Sequence, residues 1–290
     1  MKALIDIGSN SIKGFIYREY EGGFGYVWSR HLYTRLYSYI DENGLSPDGI
    51  EALVRDVAVL ISLIRAQGCD EIKLFATAGL RDSVNHDEVL DILERRCGLR
   101  AELISSEEEA YCDMTSMRYF SGIDKALGMD MGGGSAQFFL YENDDIEKIM
   151  SLPLGALKIK EMFVEGNIPT PPEEEAIRDY VLTTLSAFGE HDSEIICAMG
   201  GSIVETAKLT GKTEFPIELS FKELGELKKS LTQRDDLFSY LKEACPGREY
   251  VMMPAIISYL AIGEYFCAKK LIALMNGVRE GYYIRHMMER

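Results

Sequence analysis

Apolar residues recur along this chain in two rhythms, alternation over short runs and three- and four-residue spacing over longer ones. The switches between them separate strands from helices. Lys2–Ile7, Ile12–Arg18 and Gly25–Leu32 predict three strands, the last two joined through Glu21-Gly22-Gly23. Ser46 then caps a helix with Pro47 in its first turn; Ile50, Leu53, Val54, Val57, Leu60, Ile61 and Ile64 form its apolar face, and Gly68 ends it. A strand over Glu71–Ala76, a helix ending near Gly98, a strand over Arg100–Ile104 and a helix starting at Ser106 complete the order β-β-β-α-β-α-β-α.

After Gly122 the order restarts. Strands are expected near Ala126–Met131, Gln137–Tyr141 and Ile146–Leu152, then a helix from Leu154 and another opened by Pro169-Thr170-Pro171-Pro172-Glu173-Glu174-Glu175. Strand Glu194–Met199, helix Ser202–Leu209, further helical segments, strand Lys270–Met275 and a closing helix from Val278 follow. The repetition predicts two duplicated α/β domains with a cleft between them, residues 1–122 and 123–290, the helix 278–290 being placed to pack back on the first.

Three glycine turns interrupt this pattern, each directly after an apolar strand. Leu127-Gly128-Met129-Asp130-Met131-Gly132-Gly133-Gly134-Ser135 leads from a strand through one acid into glycines and a hydroxyl. Ala3-Leu4-Ile5-Asp6-Ile7-Gly8-Ser9-Asn10-Ser11 does the same near the N-terminus, and Met199-Gly200-Gly201-Ser202 ends a third strand. Successive N–H groups in such turns converge on one point and bind anions. A single GGG turn reads equally well as a tight hairpin, but three such turns point to phosphate. The carboxylates of Asp6 and Asp130 would repel a phosphate unless a divalent cation lay between them, which is how Mg²⁺ bridges acids to phosphate oxygens.

Composition narrows the setting. Apolar content of 47% and charged content of 27% are ordinary for a globular protein of 290 residues, enough for two domains. A formal net charge of −16 disfavours nonspecific binding to nucleic acid or anionic membrane, and requires local cations wherever a polyanion binds. The six cysteines are scattered without a CxxC pair, as in buried small side chains of a reducing compartment. No basic leader followed by an apolar run opens the chain. The most apolar stretch, Tyr250 to Ala268, contains Pro254, Gly263 and Glu264, which suits a buried helix better than a membrane span. A cytoplasmic location is expected.

Candidate chemistry lies at two strand ends. In Ser105-Ser106-Glu107-Glu108-Glu109-Ala110, Ser106 and Glu109 have capping-box spacing; alternatively a glutamate there serves as general base toward a water attacking phosphorus. Thr77, Arg81 and Asn85 stand four residues apart, so on a helical turn Arg81 and Asn85 would share a face. Arg81 is the candidate for neutralising a transferred phosphoryl group, against the plain reading as a solvated arginine. Lys13 follows the first loop and could assist. His31, His86, His191 and His286 are isolated and read as surface or packing residues.

Taken in order, Asp6-Ile7-Gly8-Ser9-Asn10-Ser11, Ala76-Thr77 with Arg81 and Asn85, Ile104-Ser105-Ser106-Glu107-Glu108-Glu109-Ala110, Asp130-Met131-Gly132-Gly133-Gly134-Ser135, Ser151-Leu152-Pro153-Leu154-Gly155 and Gly200-Gly201-Ser202 form a series. It resembles the exopolyphosphatase / guanosine pentaphosphate phosphohydrolase (Ppx/GppA) family, in a short two-domain form, and extends to Gly277-Val278-Arg279-Glu280-Gly281.

The resemblance implies two ribonuclease-H-like domains of the actin, sugar-kinase and heat-shock-protein superfamily. It also implies Mg²⁺-dependent hydrolysis of the terminal phosphate of polyphosphate or guanosine pentaphosphate, and a homodimer. By position it makes Glu109 the catalytic glutamate and Asp6 and Asp130 the metal acids. Gly8, Ser9, Asn10, Gly132 and Ser135 become phosphate-loop residues, and Arg81 the phosphate-binding arginine; the glycine turns themselves add Lys13, Gly133, Gly134, Gly200 and Gly201 as candidate phosphate-binding residues.

Three departures stand out. Gln137 occupies a position where the family usually has an acid, Ser106 replaces a usual glycine, and Tyr37-Ser38-Tyr39 replaces a Gly-x-Gly loop, narrowing that edge and altering substrate choice. They motivate an alternative, a weakly active or inactive sensor of guanosine tetraphosphate or another phosphate-rich ligand. A third reading, an ATP-dependent kinase, fits the glycine turns alone but not the glutamate run or the arginine segment.

Overall fold

Ala3, Leu4, Ile5 and Ile7 are fully buried because β1 (Lys2–Ile7) is the middle strand of its sheet, with helices on one face and aromatic rings on the other. The computed structural model describes residues 1–289, and the chain divides into two units, residues 1–109 with the segment from Tyr282 on, and residues 110–281.

In the first unit β2 (Ile12–Tyr20) and β3 (Gly23–Leu32) follow β1 as antiparallel neighbours. A short hairpin of β4 (Ile40–Asp41) and β5 (Gly44–Leu45) precedes α1 (Pro47–Ala66), whose cap is Ser46, its side chain accepting from the Gly49 amide. Then come β6 (Ile72–Ala76), α2 (Ala78–Arg81), α3 (His86–Cys97), β7 (Ala101–Leu103) and α4 (Ser106–Ser121), the last running across the division between units. The sheet order is β3-β2-β1-β6-β7, with β6 parallel to β1 and β7 parallel to β6. Leu53, Val57, Leu60, Ile61 and Ile64 of α1 pack with Val89 and Leu93 of α3 on Ile5, Ile7, Ile16 and Leu74. On the opposite face Tyr282 stacks on Phe75 at 4.8 Å and Tyr283 lies 4.5 Å from Tyr17.

The second unit repeats the plan: β8 (Lys125–Met131), β9 (Ala136–Glu142) and β10 (Asp145–Leu152) are antiparallel neighbours. They are followed by α5 (Ala156–Phe163), α6 (Pro171–Leu185), β11 (Ile195–Met199) and α7 (Gly201–Leu209). Next come β12 (Ile217–Ser220), α8 (Phe221–Thr232), α9 (Leu237–Ala244), α10 (Met252–Tyr265), β13 (Lys270–Ala273) and α11 (Val278–His286). The order β10-β9-β8-β11-β13 matches the first sheet strand for strand, two antiparallel pairs and then two parallel ones, and β12 adds an antiparallel edge. α10 is buried along most of its length, as its composition predicts; among the described residues no helix is long and apolar enough to cross a membrane.

This is the duplicated α/β architecture expected from the repeated element order. The hairpin β4–β5 and the edge strand β12 were not foreseen, because two to four residues are too few to show alternation.

Candidate active site

Both glycine turns that follow a strand and an acid are closed by the same bond. The Gly8 amide donates to the Ser11 carbonyl at 3.1 Å, and the Gly132 amide to the Ser135 carbonyl at 2.9 Å. In each, the acid faces a cross-strand partner: Asp6 is opposite Lys13 and Asp130 opposite Gln137. Chain duplication therefore reaches down to the register of single residues.

The first turn is held from two sides. The carbonyls of Ser9 and Asn10 accept from the amides of Tyr37 (3.1 Å) and Arg35 (2.9 Å), while Ser9 and Asn10 stay exposed. From the other side α2 comes so close that a Cβ on Gly79 would meet Ser9 Cα at 2.7 Å, so only glycine lets that helical turn sit on the loop. Asp6 is 9% exposed, and Lys13 Nζ stands 3.8 Å from its Oδ2, too far for a tight ion pair. Its carboxylate thus keeps oxygen capacity of the kind a hard divalent cation takes.

Two residues beyond Gly79, Arg81 donates from Nη1 to Glu109 Oε2 at 2.5 Å and to the Ile104 carbonyl at 3.1 Å, and from Nε to Asp82 Oδ1 at 3.3 Å. The Arg81 and Glu109 side chains are 20% and 18% exposed. The helix cap is not the expected Ser106–Glu109 box. Ser105 Oγ accepts from the Glu108 amide at 3.0 Å, one residue earlier than that spacing, and the Glu109 carboxylate accepts from Arg81.

The neighbouring glutamates are placed otherwise. Glu107 is exposed, and Glu108 is bound by Arg285 at 3.0 Å and His286 at 2.7 Å. Burial works against the Glu108 charge, but these contacts prevail and hold its carboxyl below the usual range. Of the three, only Glu109 has a guanidinium from the segment packed on the first loop.

In the second unit, Gly155 lets the start of α5 press on the triple glycine. A Cβ there would lie 2.3 Å from the Gly133 carbonyl oxygen, and the amides of Ala156, Leu157 and Lys158 donate to Gly132 and Gly133 carbonyls at 3.0 Å each. The Gly132 and Gly133 carbonyls are thus taken up by the helix, while residues 132–135 stay exposed. Gly200, at φ 104°, passes so close to β8 that a Cβ would lie 2.5 Å from the Met131 carbonyl and 3.1 Å from Asp130 Oδ1. The third glycine turn therefore abuts Asp130 directly, and it opens α7.

Sequence reading missed two residues here. The Arg248 guanidinium lies over Gly201, where a Cβ would collide with it, and the Tyr259 hydroxyl of α10 is fully buried without a hydrogen-bond partner. Burial and the Asp130 charge both push the Tyr259 phenol up. Neither residue belongs to a recognisable motif; Pro246-Gly247-Arg248 reads simply as a turn.

Asn85 leaves the site. α2 ends at Arg81 and Asn85 precedes α3, so the two share no helical face. The Asn85 side chain instead accepts from the Leu45 amide at 2.8 Å and donates to its carbonyl at 2.9 Å, clamping β5. Asn85→Ala is expected to lower the melting temperature, consistent with losing about 1–3 kcal/mol for partners left unsatisfied.

A sequence profile of the Ppx/GppA phosphatase family matches residues 15–290. Exopolyphosphatase 1 of Mycobacterium leprae is 25% identical over 187 residues, covering 63% of this chain and 55% of that protein. The guanosine-5'-triphosphate,3'-diphosphate pyrophosphatase of Photobacterium profundum is 25% identical over 195 residues, covering 67% of this chain and 39% of that one. The chain thus spans about half the length of the curated relatives it matches. Among solved structures, the type II variant of the Aquifex aeolicus Ppx/GppA phosphatase superposes with a TM-score of 0.88 at 24% identity, over 99% of both chains, a likeness of fold. With the profile running over all but the first strand and its turn, the chain belongs to the Ppx/GppA phosphatase family.

Proposed function

We propose that the protein is a Mg²⁺-dependent phosphohydrolase that removes the terminal phosphate of a linear phosphoanhydride, inorganic polyphosphate or guanosine pentaphosphate. The observation that carries the proposal is the Glu109 carboxylate held by Arg81, on the helical turn that Gly79 seats against the first glycine loop. In this reading the amides of residues 9–10 serve as phosphate donors in the first unit and those of residues 133–135 in the second, and Lys13 offsets charge in a protein that is otherwise acidic. Glu109 orients a water and accepts its proton as the oxygen–phosphorus bond forms and the bridging oxygen leaves.

Arg81 fixes that carboxylate, so it acts first as a positioning group; its remaining N–H groups suit a phosphoryl oxygen. Asp6 of the first unit and Asp130 of the second each offer a carboxylate to Mg²⁺, which would supply charge neutralisation on the phosphate when bound.

Phosphate release from tripolyphosphate, long-chain polyphosphate, guanosine pentaphosphate and ATP, each with Mg²⁺ and with EDTA, tests the proposal. Turnover of a terminal phosphate that stops in EDTA is expected. Tight binding of guanosine tetraphosphate without turnover of any of these would replace the hydrolase with a sensor, and transfer from ATP to an acceptor would make it a kinase.

A further inference from the structure

The segment that braces the first glycine loop has an inner and an outer set of side chains. Thr34 is buried and donates to the buried Asp56 at 2.8 Å, and Leu36, 1% exposed, is part of the first unit's core. The residues between and beside them are turned to solvent: Tyr33 is 72% exposed, Tyr37 57%, and Arg35 is exposed as well. Arg35 holds left-handed backbone, φ 54° and ψ 50°, a conformation that is costly for a side chain with a Cβ. It is kept there by its amide bond to Asn10 and by the Ser38 amide and hydroxyl, which both donate to its carbonyl at 2.9 and 2.8 Å. Two large rings and a guanidinium are therefore exposed in one short segment, with the Arg35 and Tyr37 backbone bonded to the proposed phosphate loop.

An exposed ring on backbone tied to phosphate ligands suits the flat face of a nucleobase. Arginine in the same row suits either the base plane or a further phosphate. We infer that Tyr33, Arg35 and Tyr37 form a specificity subsite for the nucleoside of a nucleoside polyphosphate, so the protein prefers such a ligand to a bare polyphosphate chain. The inference rests on reading the Gly8–Asn10 loop as a phosphate site. A polyphosphate chain has no planar group and gains nothing from the rings.

The test compares equilibrium binding of guanosine pentaphosphate and of tripolyphosphate to the wild type, Tyr33→Ala, Tyr37→Ala and Tyr37→Phe, with melting curves as a control on folding. The ratio of nucleotide to tripolyphosphate affinity should fall about tenfold in each alanine variant, in line with the loss of one stacked base. Tyr37→Phe should restore it. An unchanged ratio, with both ligands weakened equally or neither weakened, overturns the inference. Binding is read without turnover, so an inactive enzyme would defeat the hydrolase proposal while this result still stood or fell separately.

Discussion

Glu109→Gln should reduce phosphate release by about a hundredfold to ten-thousandfold, the range associated with losing a positioned general base. The substitution keeps size and shape, and the amide oxygen can still accept from Arg81, so the fold around α2 and α4 should survive. What disappears is the capacity to take a proton from water. The carboxylate is 18% exposed and held at 2.5 Å by Arg81, so a substitute base from solvent would be poorly aligned. Substrate affinity should change far less than turnover, since the group acts on the water rather than on the phosphate. A melting temperature within a few degrees of wild type, together with collapsed turnover, is the expected pair of results. Undiminished turnover would remove Glu109 from the mechanism.

Gly155→Ala should be nearly as damaging by a different route. The added methyl would lie 2.3 Å from the Gly133 carbonyl oxygen, backbone that cannot swing aside as a side chain could. Either α5 shifts, losing its three amide bonds to Gly132 and Gly133, or the loop is displaced. Overpacking of this kind costs about 1–3 kcal/mol of stability, and misplacing a catalytic loop by about 1 Å can cost a hundredfold in rate. A thermal melt and a phosphate-release assay on the same preparation check both. Full activity in Gly155→Ala would mean that the triple-glycine loop takes no part in binding the reacting phosphate.

Much of this molecule was legible before its coordinates. Long elements announced themselves: the apolar face of α1, the Ser46 cap and the closing Gly68 each carry a local signal, and the structure has the helix between them. The two Asp-Gly-Ser turns could be paired from sequence because duplication preserved the strand, the acid and the hydroxyl in order. Other features needed tertiary information. Whether Ser105 or Ser106 caps α4 is a one-residue question that spacing alone leaves open.

Four-residue spacing puts Asn85 on one helical face with Arg81, but the helical turn stops at Arg81 and the amide clamps a hairpin too short to foresee. Arg248 and Tyr259 come from distant segments, and only folding brings them to Gly201 and toward the charge of Asp130. The tyrosines at 37 and 39 were visible as departures from the family pattern. That Tyr37 is exposed while its amide binds Ser9 was not.

The most direct measurement follows guanosine pentaphosphate and tripolyphosphate by ³¹P NMR in ¹⁸O-enriched water with Mg²⁺. The account predicts that the terminal phosphate resonance is lost to inorganic phosphate carrying one solvent oxygen, and that Glu109→Gln stops the exchange. Cleavage at an internal bridge, or phosphate arriving on an acceptor other than water, would contradict it.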